Sequence, residues 1–237
     1  MKFYRLMTSL PMIPDEVAPL SVAVDEIVAQ ILDEVSGAQR ELVDALLWQV
    51  DAANAEAILL GTVLFDPWGT LSREDFETRL NLPPFLDDVF RSTETAGQPA
   101  QLVQMVWESY YGALIELAER HSCRFLRSFA QFETGLRNAI AKKRAEVLST
   151  DVDAAQVLGG ADALLYQQLV LRASEAEDPQ AREMILDRER IALYQELEGI
   201  DPFGLDALLA YLASALVLDS WRMDKEVDPE NMLEVFA

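Results

Sequence analysis

The chain has 237 residues, half of them apolar, with 41 acidic side chains against 19 basic ones and a net charge of -22. That length can bury a substantial core in one large domain or two small ones. The charge excludes general nucleic-acid binding, where phosphate neutralisation dominates, and equally a peripheral hold on an anionic membrane surface.

Residues 1–20 contain three prolines and an apolar FYRLM run, which predicts an extended arm or short edge strand lying on the body. Lys2 and Arg5 precede the apolar Leu6 to Ile13 as in a signal peptide, but Pro11, Pro14, Asp15 and Glu16 interrupt the pattern. The apolar run Ala207 to Leu218 is far below the roughly 18–20 residues that span a bilayer. The expectation is a soluble, cytoplasmic protein without membrane insertion.

Helical periodicity begins after Ser21, a good N-cap residue, with Val24, Ile27, Val28, Ile31, Leu32 and Val35 on one face and Gly37 at the end. A second helix is predicted from Ala38 to Leu60, burying Leu42, Leu46, Val50 and Ala53. DPWGT at 66–70 is a turn by composition, and Ser72 with Asp75 forms a capping-box pattern for a short helix to Arg79. Pro83 and Pro84 suit the opening turn of another, through Phe90. The polar stretch 91–99 divides the chain into an N-terminal arm with a helical segment, 1–96, and a second segment, 97–237; one continuous domain is the alternative.

From Gln101 to Glu119 a helix is predicted with Leu102, Met105, Val106, Ser109, Leu114 and Leu117 inside. The stretch after it, Arg120 to Val147, is basic in an acidic chain: Arg120, Arg124, Arg127, Arg137, Lys142, Lys143 and Arg144 against Glu133 and Glu146. Phe125, Phe129, Phe132, Leu136, Ile140 and Val147 form one apolar stripe at 100° per residue, while Arg120, Arg124, Arg127, Gln131, Asn138 and Lys142 project opposite. If the two helices are continuous the element exceeds about 60 Å at 1.5 Å per residue; a kink at Arg120 to Cys123 is the alternative. Gly135 within it predicts a close approach by a neighbour or a local bend. The strip has two readings, an internal clamp around Arg124, Arg127 and Arg137 or a surface for a partner or anion, with Arg120, Arg124, Arg127 and Lys142 as the partner-binding candidates.

Further helices are predicted from Asp151 to Leu158, Asp162 to Ala173, Gln180 to Glu198 and Phe203 to Trp221, followed by an apolar tail, Met232 to Phe236, that docks on the chain or a partner. Met184, Ile185, Ile191, Leu193 and Leu197 are assigned to the core, and the run Asp187-Arg188-Glu189-Arg190 to a solvated face. A faint echo links Val50-Asp51-Ala52-Ala53 with Val152-Asp153-Ala154-Ala155. With no sustained two-residue alternation, the fold class is all-α: an elongated multi-helix bundle with one or two very long helices and a possible internal repeat.

Catalytic signatures are sparse. There is no GxxxxGK[ST] or GxGxxG loop, and His121, the only histidine, cannot supply the two Glu-x-x-His motifs of a di-iron bundle. The single cysteine, Cys123, precludes an internal disulfide and is expected to be packed rather than reactive. No cofactor and no metal are expected, and no enzyme activity; a carboxylate-only enzyme is the third alternative.

FYRLMTSLPMIP at the start, FLRSFAQFETGLRNAIAKKRAE in the middle and AREMILDRERIALYQELEGIDPFGLDALLAYLASALVLDSWRMD near the end together resemble a bacterial family whose genes lie among those for V/A-type rotary ATPase subunits. The family's paired aromatics leading to Ser-Leu-Pro are matched by Phe3, Tyr4, Ser9, Leu10 and Pro11, and its Phe-Glu-x-x-Leu-Arg-Asn by Phe132, Glu133, Leu136, Arg137 and Asn138. A late Arg-Trp is met in reversed order by Trp221-Arg222. The basic helix is also similar to the helical units of the all-α socket subunit of those ATPases, the non-catalytic piece between central stalk and rotor ring, although the chain is shorter than a typical three-unit socket subunit. The resemblance implies a socket-like bundle acting as a non-catalytic component or assembly factor of such an ATPase, peripheral to the membrane through the complex, with homo-oligomers possible. Phe132, Glu133, Leu136, Arg137, Asn138 and Trp221 would then hold the bundle together. The alternative is a free-standing helical adaptor or chaperone that binds a client segment.

Overall fold

All regular structure among the described residues is helical, as the three- and four-residue apolar spacing requires. The computed structural model describes residues 2–92, 99–149, 156–160 and 162–222. In chain order the helices are α1 (Tyr4–Ser9), α2 (Val24–Glu34), α3 (Ala38–Leu59), α4 (Arg73–Thr78), α5 (Pro84–Ser92), α6 (Pro99–Arg120), α7 (Arg124–Leu148), α8 (Gln167–Ser174), α9 (Pro179–Leu197) and α10 (Leu205–Asp219). Two short 3-10 turns, Leu158–Gly160 and Ala163–Tyr166, precede α8.

Several predicted boundaries move. The N-terminal arm is no strand: its aromatic run coils into α1, from which only Leu6 is buried. α2 starts at Val24 with Ala23 at the N-cap, so Ser21 does not cap it. At Ser72 the capping box forms as predicted, the serine hydroxyl accepting from the Asp75 amide and the Asp75 carboxylate accepting from the Ser72 amide. Of the helix predicted for 151–158, residues 151–155 lie outside the described residues, as does the second half of the Val-Asp-Ala-Ala echo, and Leu158 sits in a 3-10 turn. The apolar tail predicted to dock, Met232 to Phe236, also lies outside the described residues.

The long continuous helix does not form. α6 ends at Arg120, and α7 starts after a break in which Ser122 adopts a left-handed φ of 52°. The Cys123 amide donates back to the Ala118 carbonyl at 2.8 Å, closing the end of α6. α6 therefore folds back on α7 instead of extending it. α7, at 25 residues, is about 37 Å long at 1.5 Å per residue.

One buried hydrophobic cluster runs through both the 1–96 and the 97–237 segments. α3 packs along α6, α6 along α5 and α7, and α9 along α8 and α10, while α10 reaches α2, α3 and α7. Side chains such as Ile27, Ile31, Leu46, Leu86, Leu114, Phe125 and Leu208 are almost completely inaccessible. Each such side chain contributes about 1.5–3 kcal/mol relative to exposure. Ala53 on α3 and Met105 on α6, both predicted to be inside, face solvent.

The N-terminal arm is pinned across the C-terminal helix. The Phe3 amide donates to the Phe203 carbonyl at 2.8 Å, the Tyr4 ring lies 4.4 Å from that of Phe203, and the Tyr211 hydroxyl donates to the Pro11 carbonyl at 2.9 Å. Arg222 reaches the Leu20 and Val22 carbonyls at 3.0 and 2.9 Å while pairing with Asp219. The paired aromatics, the Ser-Leu-Pro and Arg222 thus belong to one seam. Among the described residues no helix is long and apolar enough to cross a membrane.

Candidate functional site

α7 packs against α6, α8, α9, α10 and both 3-10 turns. Its apolar stripe buries Phe125, Phe129, Phe132 and Leu136, and the three phenyl rings pack around the Tyr194 ring from α9 and the Tyr166 ring that precedes α8. The stripe ends early, for Val147 is exposed. Gly135 allows the close approach: an added Cβ would overlap the Tyr166 ring and meet Asp162 Cβ at 3.0 Å. Here the glycine's value is its missing side chain.

Glu133 faces inward, only 5% exposed. The Tyr194 hydroxyl donates to it at 2.6 Å, and the Arg190 guanidinium lies 3.5 Å from the same oxygen. Arg190 continues to the buried Asp187 at 2.5 Å, whose other oxygen accepts from the Trp221 indole at 2.8 Å. Burial by itself would lower the Arg190 pKa; Glu133, Tyr194 and Asp187 outweigh it and hold the guanidinium charged above its ordinary range. Burial, reinforced by the Glu133 charge, pushes the Tyr194 phenol well above its usual value, so it remains a proton donor. The relay ties α7, α9 and the segment after α10, with every charge paired as burial demands.

Arg137, one turn further along, lies over the Trp107 ring at 4.1 Å. The Trp107 indole donates to Glu56 at 2.6 Å, and Arg137 stands 3.8 Å from that carboxylate oxygen. Burial lowers the guanidinium pKa, with the nearby Arg144 charge adding to it and Tyr111 and Glu56 opposing. These residues line a cleft of about 330 Å³ where α3, α6, α7 and α9 meet.

Asn138 departs from the predicted pattern. Periodicity places it among the outward-projecting bases, yet it is fully inaccessible. Its side-chain oxygen accepts from the Val157 amide at 2.8 Å and its nitrogen donates to the Val157 carbonyl at 3.0 Å. The buried Val157 amide is thus satisfied by one side chain, and its carbonyl by that side chain together with the Gly160 amide at 3.0 Å.

The partner candidates do not form one strip. Arg120 belongs to α6 and pairs with Glu116 at 2.8 Å, at the rim of a separate cleft of about 650 Å³. Lys142 is half-buried in a shallow recess beside Gln167 and Leu171. Arg124 and Arg127 are exposed one turn apart on α7 and make no ion pair among the described residues. The basic helix is therefore divided: Arg137 is half-buried against Trp107, and Arg124 and Arg127 stand outside.

Some polar residues central to the bundle escape sequence reasoning. The solvated-face reading of 187–190 fails at two positions, because Asp187 is buried and Arg190 bridges two helices. On α3, the inaccessible Asp51 accepts from the Thr70 hydroxyl at 2.6 Å and from the Thr70 and Leu71 amides at 3.1 Å. Asn54 exchanges two 2.8 Å bonds with the Asp66 backbone. The signal that finds them is register: Asp51 and Asn54 fall on the face of Leu47, Ala52 and Ala55 rather than among the exposed charges.

A family model described as Protein of unknown function (DUF2764) matches residues 1–233, nearly the whole chain. No curated protein matches the sequence.

Proposed function

We propose, from the premise that the chain belongs to the DUF2764 family, that it is a non-catalytic component or accessory of a bacterial V/A-type ATPase, acting in stalk–rotor coupling or in assembly. The ATPase comes from the resemblance of the start, the central Phe-Glu-x-x-Leu-Arg-Asn and the C-terminal stretch. The observation that carries a scaffolding role is where that central pattern points: Glu133 to Tyr194 and Arg190, Arg137 to Trp107 and Glu56, Asn138 to Val157. These residues bind helices and loops of their own chain.

The outer face of α7 is the proposed contact. In a chain of net charge -22, the exposed Arg124 and Arg127 form a cationic spot that would set the orientation on an acidic partner. Affinity purification of the tagged chain from native membranes is expected to recover ATPase subunits, and Arg127→Glu to reduce that recovery while leaving the fold intact. Recovery of no ATPase subunit, together with normal ATPase assembly in a strain lacking the protein, would sink the proposal.

A further inference from the structure

We propose that the cleft between α3, α6, α7 and α9 is a binding site for a small phosphate-bearing anion, held by Arg137 and Arg144. The cleft walls carry an imbalance of hydrogen-bonding groups. Of the two carboxylates lining them, Glu133 accepts from Tyr194 and faces Arg190, and Glu56 accepts from the Trp107 indole. Their acceptor capacity is largely spent inside the protein. The donors are not. Arg137 is half-buried and meets Glu56 only as a 3.8 Å ion pair, longer than a hydrogen bond, so its N–H donors remain available, and Arg144 makes no ion pair among the described residues. Gln49 and Tyr111 line the same walls.

Acids outnumber bases about two to one, so a guanidinium readily finds a carboxylate here, as Arg40, Arg91, Arg172 and Arg222 each do. Arg137 and Arg144 are seven residues apart on α7, two turns along one side, and open on the same cavity. Their charges repel, and the Arg137 proton is held less tightly for it. An anion between them removes that repulsion and accepts from both planar forks, which suit phosphate or carboxylate oxygens.

Phosphate is favoured over carboxylate because the donors come from several walls: two guanidiniums on α7, a hydroxyl on α6 and an amide on α3. A tetrahedral group with three or more acceptor oxygens meets such an arrangement; a planar carboxylate meets one fork at a time. The cleft volume lies at the small end of the range for small-molecule sites. Trp107 is only 7% exposed with Arg137 on one face, so no large ring system stacks on it. The ligand is accordingly inorganic phosphate or a compact phosphate monoester.

Calorimetric titration with inorganic phosphate, glycerol phosphate and acetate, each at constant ionic strength, tests this. The expected result is saturable one-to-one binding of at least one phosphate compound and none of acetate; which of the two binds more tightly distinguishes the free ion from the ester. Arg144→Gln, at an exposed position that leaves the fold intact, is expected to weaken phosphate binding by about tenfold or more, and Arg124→Gln, outside the cleft, to leave it unchanged. Absence of saturable phosphate binding, equal binding of acetate, or equal loss in both variants would overturn the proposal. None of these readouts involves an ATPase partner, so the outcome is separate from that of the proposed function.

Discussion

Asn138 and Val157 bond to one another in both directions, the Val157 amide giving to the Asn138 side-chain oxygen at 2.8 Å and the Asn138 amide nitrogen giving to the Val157 carbonyl at 3.0 Å. The Asn138 backbone carbonyl in turn accepts from the Gln156 side chain at 3.2 Å, and Gln104 of α6 donates to the Gln156 carbonyl at 2.7 Å. This clasp fixes the chain that leads into the 3-10 turns against two helices. Asn138→Leu leaves the buried Val157 N–H without its partner, while the Val157 carbonyl keeps only the Gly160 amide at 3.0 Å; it is expected to cost about 1–3 kcal/mol, seen as a lowered urea midpoint. Asn138→Asp, which keeps the acceptor but not the donor, should be no better, because it adds a buried charge.

Glu133 and Tyr194 are expected to behave as a coupled pair. Glu133→Gln removes the carboxylate facing Arg190 and should destabilise by about 3 kcal/mol, whereas Tyr194→Phe loses one charge-assisted bond and costs about 1.5–3 kcal/mol. A double-mutant cycle on unfolding free energy should give a coupling of about 1–3 kcal/mol. Additive losses would show that the 2.6 Å contact carries little energy of its own.

At Gly135 two effects oppose. Alanine is the better helix former by about 1 kcal/mol, but its methyl group overlaps the Tyr166 ring. Gly135→Ala is expected to lower stability by about 1–3 kcal/mol as the ring is displaced. In a Tyr166→Ala background the same substitution should cost much less, and thermal unfolding of the four proteins checks this.

Cys123 is buried, and burial in the first place, with Asp206 contributing, pushes its thiol up to about 11, against the Leu126 and Phe125 backbone bonds that favour the thiolate. At pH 8.5 iodoacetamide should therefore modify the native protein about a hundredfold more slowly than the urea-unfolded chain. Because the folded-state value is raised, the thiol's contribution to stability is complete below the unfolded value near 9 and is lost as pH rises towards 11. The fall in urea midpoint over that window should be smaller in Cys123→Ala.

Arg137 and Arg127 separate folding from recognition. Arg137→Ala removes a cation–π contact and a packed stem and should destabilise by about 2 kcal/mol. Arg127→Glu, at an exposed position, should stay within about 0.5 kcal/mol of the parent. If Arg127→Glu retained every interaction of the parent, the outer face of α7 would be a solvated surface and no contact.

That the chain is helical, roughly where most of its helices lie, and that Ser72 and Asp75 close a cap are all legible in the order of residues, because apolar periodicity and capping are local properties carried by neighbours three or four positions apart. The centrality of α7 and the close approach at Gly135 are legible in the same way. The direction in which the polar residues of α7 and its neighbours face is not. By periodicity and charge Asn138, Arg190, Asp187 and Asp51 look like solvent-facing residues until a distant group removes the cost of burying them: the Asn138–Val157, Glu133–Arg190, Asp187–Trp221 and Asp51–Thr70 pairs are separated by 19 positions or more in the chain. The sequence offers a kink at Arg120 to Cys123 as one of two readings; the choice of a break at Ser122 over a continuous helix belongs to the tertiary structure, in which α6 folds back on α7. Burying a polar group depends on its partner, and periodicity carries no information about partners that far along the chain.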